Sequence, residues 1–103
     1  MENITVKEFQ TIKNNDDVFL LDVRTTDEYN FAQIGGTNIP LNLVPSSLDN
    51  IPKDKKIYCL CHHGGRSARA CLFLEENGYE NTVNIEGGIE QWSLQVDPSI
   101  KRY

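Results

Sequence analysis

Residues 18–23 read Val-Phe-Leu-Leu-Asp-Val, with four apolar residues in an unbroken run. A strand with one face in water alternates apolar and polar residues, because successive side chains point to opposite faces. A run without alternation belongs to a strand buried on both faces, which is the habit of parallel sheets covered by helices. Lys55–Cys61 (KKIYCLC) repeats the pattern, and Thr82–Ile85 (TVNI) is a shorter version of it. Thr37–Leu41 (TNIPL) gives another short strand, ended by Pro40.

Helical signals fall between these runs. Thr5 and Glu8 form a capping box, and Val6, Phe9 and Ile12 follow at helical spacing. A short helix is expected from Thr26 to Phe31, and a brief helical turn from Pro45 to Leu48. Ser67–Gly78 (SARACLFLEENG) is the strongest helix, with Ala68, Cys71, Leu72 and Leu74 apolar and Gly78 placed to end it. Gly87-Gly88 turns the chain into a last short helix, which Asp97-Pro98 stops. Strands and helices thus alternate, and the connections are too long for hairpins. An α/β domain follows, with a parallel sheet and helices on both faces. A length of 103 residues suits one domain over residues 1–103.

Ligands of such sheets bind beyond the carboxyl ends of the strands. That end of the 55–61 strand carries Cys-His-His-Gly-Gly-Arg-Ser, residues 61–67, just before the strongest helix. Backbone N–H groups in a strand-to-helix loop can converge on one point, with the positive end of the helix dipole behind them. Gly64 and Gly65 allow the positive φ of such a curl. Arg66 adds a permanent charge, and His62 and His63 add donors. A thiol opening this loop points into a positive field that favours its thiolate, so Cys61 is the expected nucleophile. Cys59, inside the strand, and Cys71, mid-helix, read as inert core cysteines. A zinc site made from Cys59, Cys61, His62 and His63 would crowd four ligands into five residues, whereas structural zinc uses separated pairs, so no metal is expected. Asp22 and Arg24 close a buried strand and read as structural, with Arg24 expected to pair with Glu28 four residues on. Arg69 reads as a surface residue.

The net charge of -5 argues against nucleic acid, which needs clustered cations. No apolar run reaches the ~20 residues that span a bilayer. The N-terminus lacks a basic segment followed by an apolar core, and three cysteines are an odd number for a disulfide framework. A cytoplasmic protein with reduced thiols is expected.

Four blocks in register, LLDVRTTDEY, IGGTNIPL, IYCLCHHGGRSARACLFLEENGY and VNIEGGIEQW, resemble the rhodanese-like family over nearly the whole chain. Cys61, Gly64, Arg66 and Ser67 fall on that family's active-site block. The resemblance implies a single rhodanese-like domain with a central five-stranded, mostly parallel sheet. It also implies a sulfurtransferase of the thiosulfate type, which holds sulfur on Cys61 as a persulfide and needs no cofactor. Its partners would be a small anionic sulfur donor and a thiol or sulfur-carrier acceptor, with neither nucleic acid nor membrane. Related phosphatases and arsenate reductases place five residues between Cys and Arg; here there are four, His62–Gly65, a loop sized for one sulfur atom. A non-catalytic regulatory or protein-binding module is the alternative, and retention of Cys61, Gly64 and Arg66 opposes it. Gln33 stands where many members have His. The tail WSLQVDPSIKRY is similar to the end of rhodanese domains fused to ubiquitin-activating-like enzymes.

Overall fold

The structure is a computed structural model describing residues 1–103. Five strands run β1 (Glu2–Ile4), β2 (Val18–Asp22), β3 (Thr37–Asn38), β4 (Lys56–Leu60) and β5 (Thr82–Ile85). Four helices lie between and after them: α1 (Val6–Ile12), α2 (Thr26–Phe31), α3 (Gly65–Glu76) and α4 (Gly88–Gln95). The sheet order is β1-β5-β4-β2-β3, and every neighbouring pair is parallel. The short β1 is the strand that apolar runs do not reveal, because Glu2 and Asn3 are exposed at the sheet edge.

The unbroken apolar runs prove to be two alternating sets, one for each face. Leu21, Ile57 and Cys59 join Ala70, Cys71 and Leu74 of α3 in one core. Leu20, Tyr58, Leu60, Val83 and Ile85 join Phe9 of α1 and Ile89 and Trp92 of α4 in the other. Burying a large apolar side chain is worth about 1.5–3 kcal/mol, so a one-residue slip of β4 would misplace both sets at once.

Helix starts are set locally. The Thr5–Glu8 capping box forms as expected. A second box, Thr25 with Glu28, starts α2, which runs over the expected Thr26–Phe31. The expected turn at Pro45–Leu48 begins earlier, as 3-10 segments over Leu41–Ser46 and Leu48–Asn50. No helix is long and apolar enough to cross a membrane.

Candidate active site

Cys61 is the first residue beyond β4, and α3 begins at Gly65 with Gly64 as its cap. Only Gly64 takes the positive φ the curl requires, at 113°. Gly65, expected to share that role, is instead the first helical residue, because the helix starts ahead of Ser67. Two carbonyls of the loop are turned away from its centre. Cys61 O accepts from the Ile89 N–H at 2.9 Å, and His62 O accepts from the Glu90 N–H at 3.2 Å. These donors are first-turn amides of α4, which have no partner within their own helix. Gly88 makes the approach possible, since a Cβ there would lie 2.4 Å from both carbonyl oxygens. With the carbonyls drawn outward, the Gly64 N–H points inward and donates to Cys61 Sγ at 3.0 Å.

Cys61 is 1% exposed and Ser67 is fully buried. Ser67 Oγ lies 3.3 Å from Cys61 Sγ and donates to Asn84 Oδ1 at 2.5 Å. A hydroxyl carries one proton. While Asn84 takes it, Ser67 can only accept from a Cys61 S–H; a thiolate receives that proton if the hydroxyl turns. Asn84 also donates from Nδ2 to Gly64 O at 3.3 Å, tying β5 to the loop. Sequence reasoning passed over Asn84 as part of a core strand. The signal was a polar residue in the middle of a run buried at every position.

The charges pair differently from the sequence expectation. Arg24 is fully buried and pairs with Asp22 at 2.6 Å. All its N–H groups have partners: Nε and Nη2 on Asp22, Nη2 also on Ala32 O, and Nη1 on Glu28 O and Tyr103 Oη. Burial opposes its charge, but the hydrogen bonds it donates to Asp22 and Tyr103 hold the guanidinium above its ordinary pKa. The expected Arg24–Glu28 ion pair is therefore corrected: Arg24 meets only the Glu28 backbone. The i,i+4 rule fails here because Arg24 precedes the cap Thr25 and lies outside the helix.

The Glu28 carboxylate instead takes Arg66 in a bidentate pair, with Nη1 at 2.6 Å and Nη2 at 2.9 Å. Arg66 holds that carboxyl well below the usual range, although burial works against it. Arg66 is thus a partnered charge that pins the start of α3, not a free cation in the loop. His62 and His63 stack at 3.9 Å. His62 Nε2 lies 3.8 Å from Glu90 Oε1, and neither buried atom has a hydrogen-bond partner. Burial, followed by the neighbouring His63, pushes the His62 pKa down. Cys59 and Cys71 are both fully buried in the α3-side core, as expected. The adjoining Cys71 thiol, followed by burial, pushes the Cys59 thiol up.

Beside Arg66, a groove of about 460 Å³ runs between α3 and the Leu41–Ser46 segment. Val23, Leu41, Val44 and Phe73 line its floor, and Arg69, exposed as expected, stands at its rim.

A buried thiol that accepts from a backbone N–H, in a strand-to-helix loop on a parallel sheet, defines a class of protein. The model of the rhodanese-like domain matches residues 5–95, and the chain belongs to that family. It is 35% identical over 92 residues to a sulfurtransferase of Allochromatium vinosum, covering 88% of this chain and 86% of that protein. It is 40% identical over 88 residues to the adenylyltransferase and sulfurtransferase uba4 of Ogataea parapolymorpha, covering 82% of this chain but only 22% of that longer protein. Among solved structures, a rhodanese-like domain protein of Staphylococcus aureus superposes with a TM-score of 0.85 at 31% identity, covering 100% of this chain and 99% of that one. The relatives named sulfurtransferase support sulfur transfer as the general activity.

Proposed function

We propose that this rhodanese-like domain is a sulfurtransferase that carries a sulfane sulfur on Cys61. The Cys61 thiolate attacks the outer sulfur of an anionic donor such as thiosulfate. The donor's S–S bond breaks, sulfite leaves with the bonding electron pair, and Cys61 becomes a persulfide with its negative charge on the outer sulfur. A thiolate acceptor, from a small thiol or a sulfur-carrier protein, then attacks that outer sulfur, and the Cys61 thiolate leaves.

The observation that carries this reading is the Gly64 N–H aimed at Cys61 Sγ from 3.0 Å at the start of α3. Donors preorganised around a developing charge are the largest source of catalysis in many sites. The helix N-terminus behind Gly64 favours the anion further. Ser67 supplies a second donor once its hydroxyl turns from Asn84 to the thiolate, while Gly65, His62 and His63 shape the rim. Arg66 fixes the loop through Glu28, and Asp22 with Arg24 supports it from beneath. The chemistry uses no metal or organic cofactor.

The test is intact mass after incubation with thiosulfate. The parent should gain the mass of one sulfur, and a thiol reductant should remove it. Cys61→Ser should gain none and lose thiosulfate-to-cyanide transfer, while Cys59→Ser and Cys71→Ser keep both. Full activity in Cys61→Ser would sink the mechanism.

A further inference from the structure

Tyr103 is distant from Cys61 in sequence and lies against its loop in space. Its ring stacks on the His62 imidazole, with centroids 3.9 Å apart and planes at 16°. Its hydroxyl plays both hydrogen-bonding roles, accepting from Arg24 Nη1 at 3.0 Å and donating to Glu28 Oε2 at 2.8 Å. Glu28 is the carboxylate that holds Arg66. One side chain therefore meets the loop at both ends: directly at His62, next to Cys61, and through Glu28 at Arg66, where α3 begins.

The backbone that delivers Tyr103 is itself anchored. Arg102 pairs with Glu90 at 2.6 Å, and Ser93 Oγ donates to Ile100 O at 2.5 Å. Both partners lie on α4, whose first amides hold the outward carbonyls of the loop. Without the Tyr103 hydroxyl, the buried Arg24 guanidinium would lose the partner of one Nη1 proton. A buried donor left unpaired is costly. Ordering the side chain and the backbone that carries it is also costly. Contacts to a stacked ring, the buried Arg24 cation and the partly buried Glu28 carboxylate together are what offset that cost here.

We propose that Tyr103 is a positioning residue for the Cys61 loop. It holds the two ends of the loop in the curl that aims the Gly64 N–H at the sulfur, without touching the sulfur itself. Its effect on rate rests on the sulfurtransferase reading; its hold on the loop does not.

The experiment compares the full chain with Tyr103→Phe, which keeps the stack and loses the hydroxyl, and Tyr103→Ala, which loses both. Amide hydrogen exchange is followed across residues 61–67 and across β4 and β5, alongside kcat and KM for thiosulfate. In Tyr103→Ala the loop amides should exchange at least about tenfold faster, as expected for losing even one hydrogen bond to a charged group, while strand amides stay within about twofold. Its kcat should fall about tenfold with KM changed less than about threefold, the signature of lost positioning rather than lost binding. Tyr103→Phe should fall between parent and alanine on both readouts. Loop exchange within about twofold of the parent in both variants would overturn the proposal, as would equal loss of protection in loop and strands. Faster loop exchange with unchanged kcat would overturn the positioning role. If the parent moves no sulfur, the sulfurtransferase reading fails, and the exchange data still decide whether Tyr103 holds the loop.

Discussion

Replacing Gly88 by alanine puts a methyl group into space already filled by backbone. The new Cβ would lie 2.4 Å from the carbonyl oxygens of Cys61 and His62. Neither oxygen is the free end of a flexible side chain; each is held by an α4 amide. Moving them aside loses two hydrogen bonds, each worth about 1 kcal/mol. Gly88 also has φ of +60°, where an alanine costs about 1–2 kcal/mol. The expected loss is about 3–4 kcal/mol, a large part of the ~5–15 kcal/mol typical of a domain. In a domain of this size it lowers Tm by roughly 12–30 °C. Gly65→Ala is the matched control. A Cβ on Gly65 meets nothing within 4 Å, and its φ is not positive. Alanine at that helical position should be neutral or stabilising by up to about 1 kcal/mol. The assay is thermal and urea unfolding of the two variants side by side, followed by circular dichroism. The reasoning is refuted if Gly88→Ala melts within about 2 °C of the parent, or if Gly65→Ala loses as much as Gly88→Ala.

Glu28 has its folded pKa lowered by Arg66, so its contribution is present above the unfolded carboxylate pKa of ~4.3 and is lost as pH falls below it. The stability gap between the parent and Glu28→Gln should be about 2 kcal/mol at neutral pH, and should narrow steadily as urea titrations move below about pH 4.5. A gap that stays constant down to about pH 3 would contradict the Arg66 pairing. Ser67→Ala removes a donor beside Cys61 and leaves the Asn84 Oδ1 atom without its partner. It should cost about 1–3 kcal/mol in urea unfolding and slow sulfur loading in single-turnover mass measurements. Loading at the parent rate would show that Ser67 does not assist the sulfur.

The strands with unbroken apolar runs, the Thr5 capping box and the Cys61 loop were all legible along the chain, because each depends on neighbours within a few residues. A buried strand needs apolar side chains on both faces, and VFLL and IYCLC supply them. The loop before α3 was legible as a strand-to-helix turn through Gly64 and the helix that follows it. Which partner each charge takes was not local. Glu28 sits four residues from Arg24, yet its carboxylate went to Arg66, thirty-eight residues away. That choice follows from β2 lying beside β4 in the sheet, which brings the start of α2 against the start of α3. Asn84 reaches Ser67 because β5 flanks β4 on its other side, with Cys59 opposite Asn84 in register. Gly88 looked like a turn glycine and proved to be where α4 presses on the Cys61 loop. Tyr103 had no local signal, since its partners His62, Arg24 and Glu28 all lie far from it along the chain. Periodicity and caps are written into adjacent residues, whereas charge partners and close approaches are set by strand order. Strand order is selected by the burial of both faces of the sheet together.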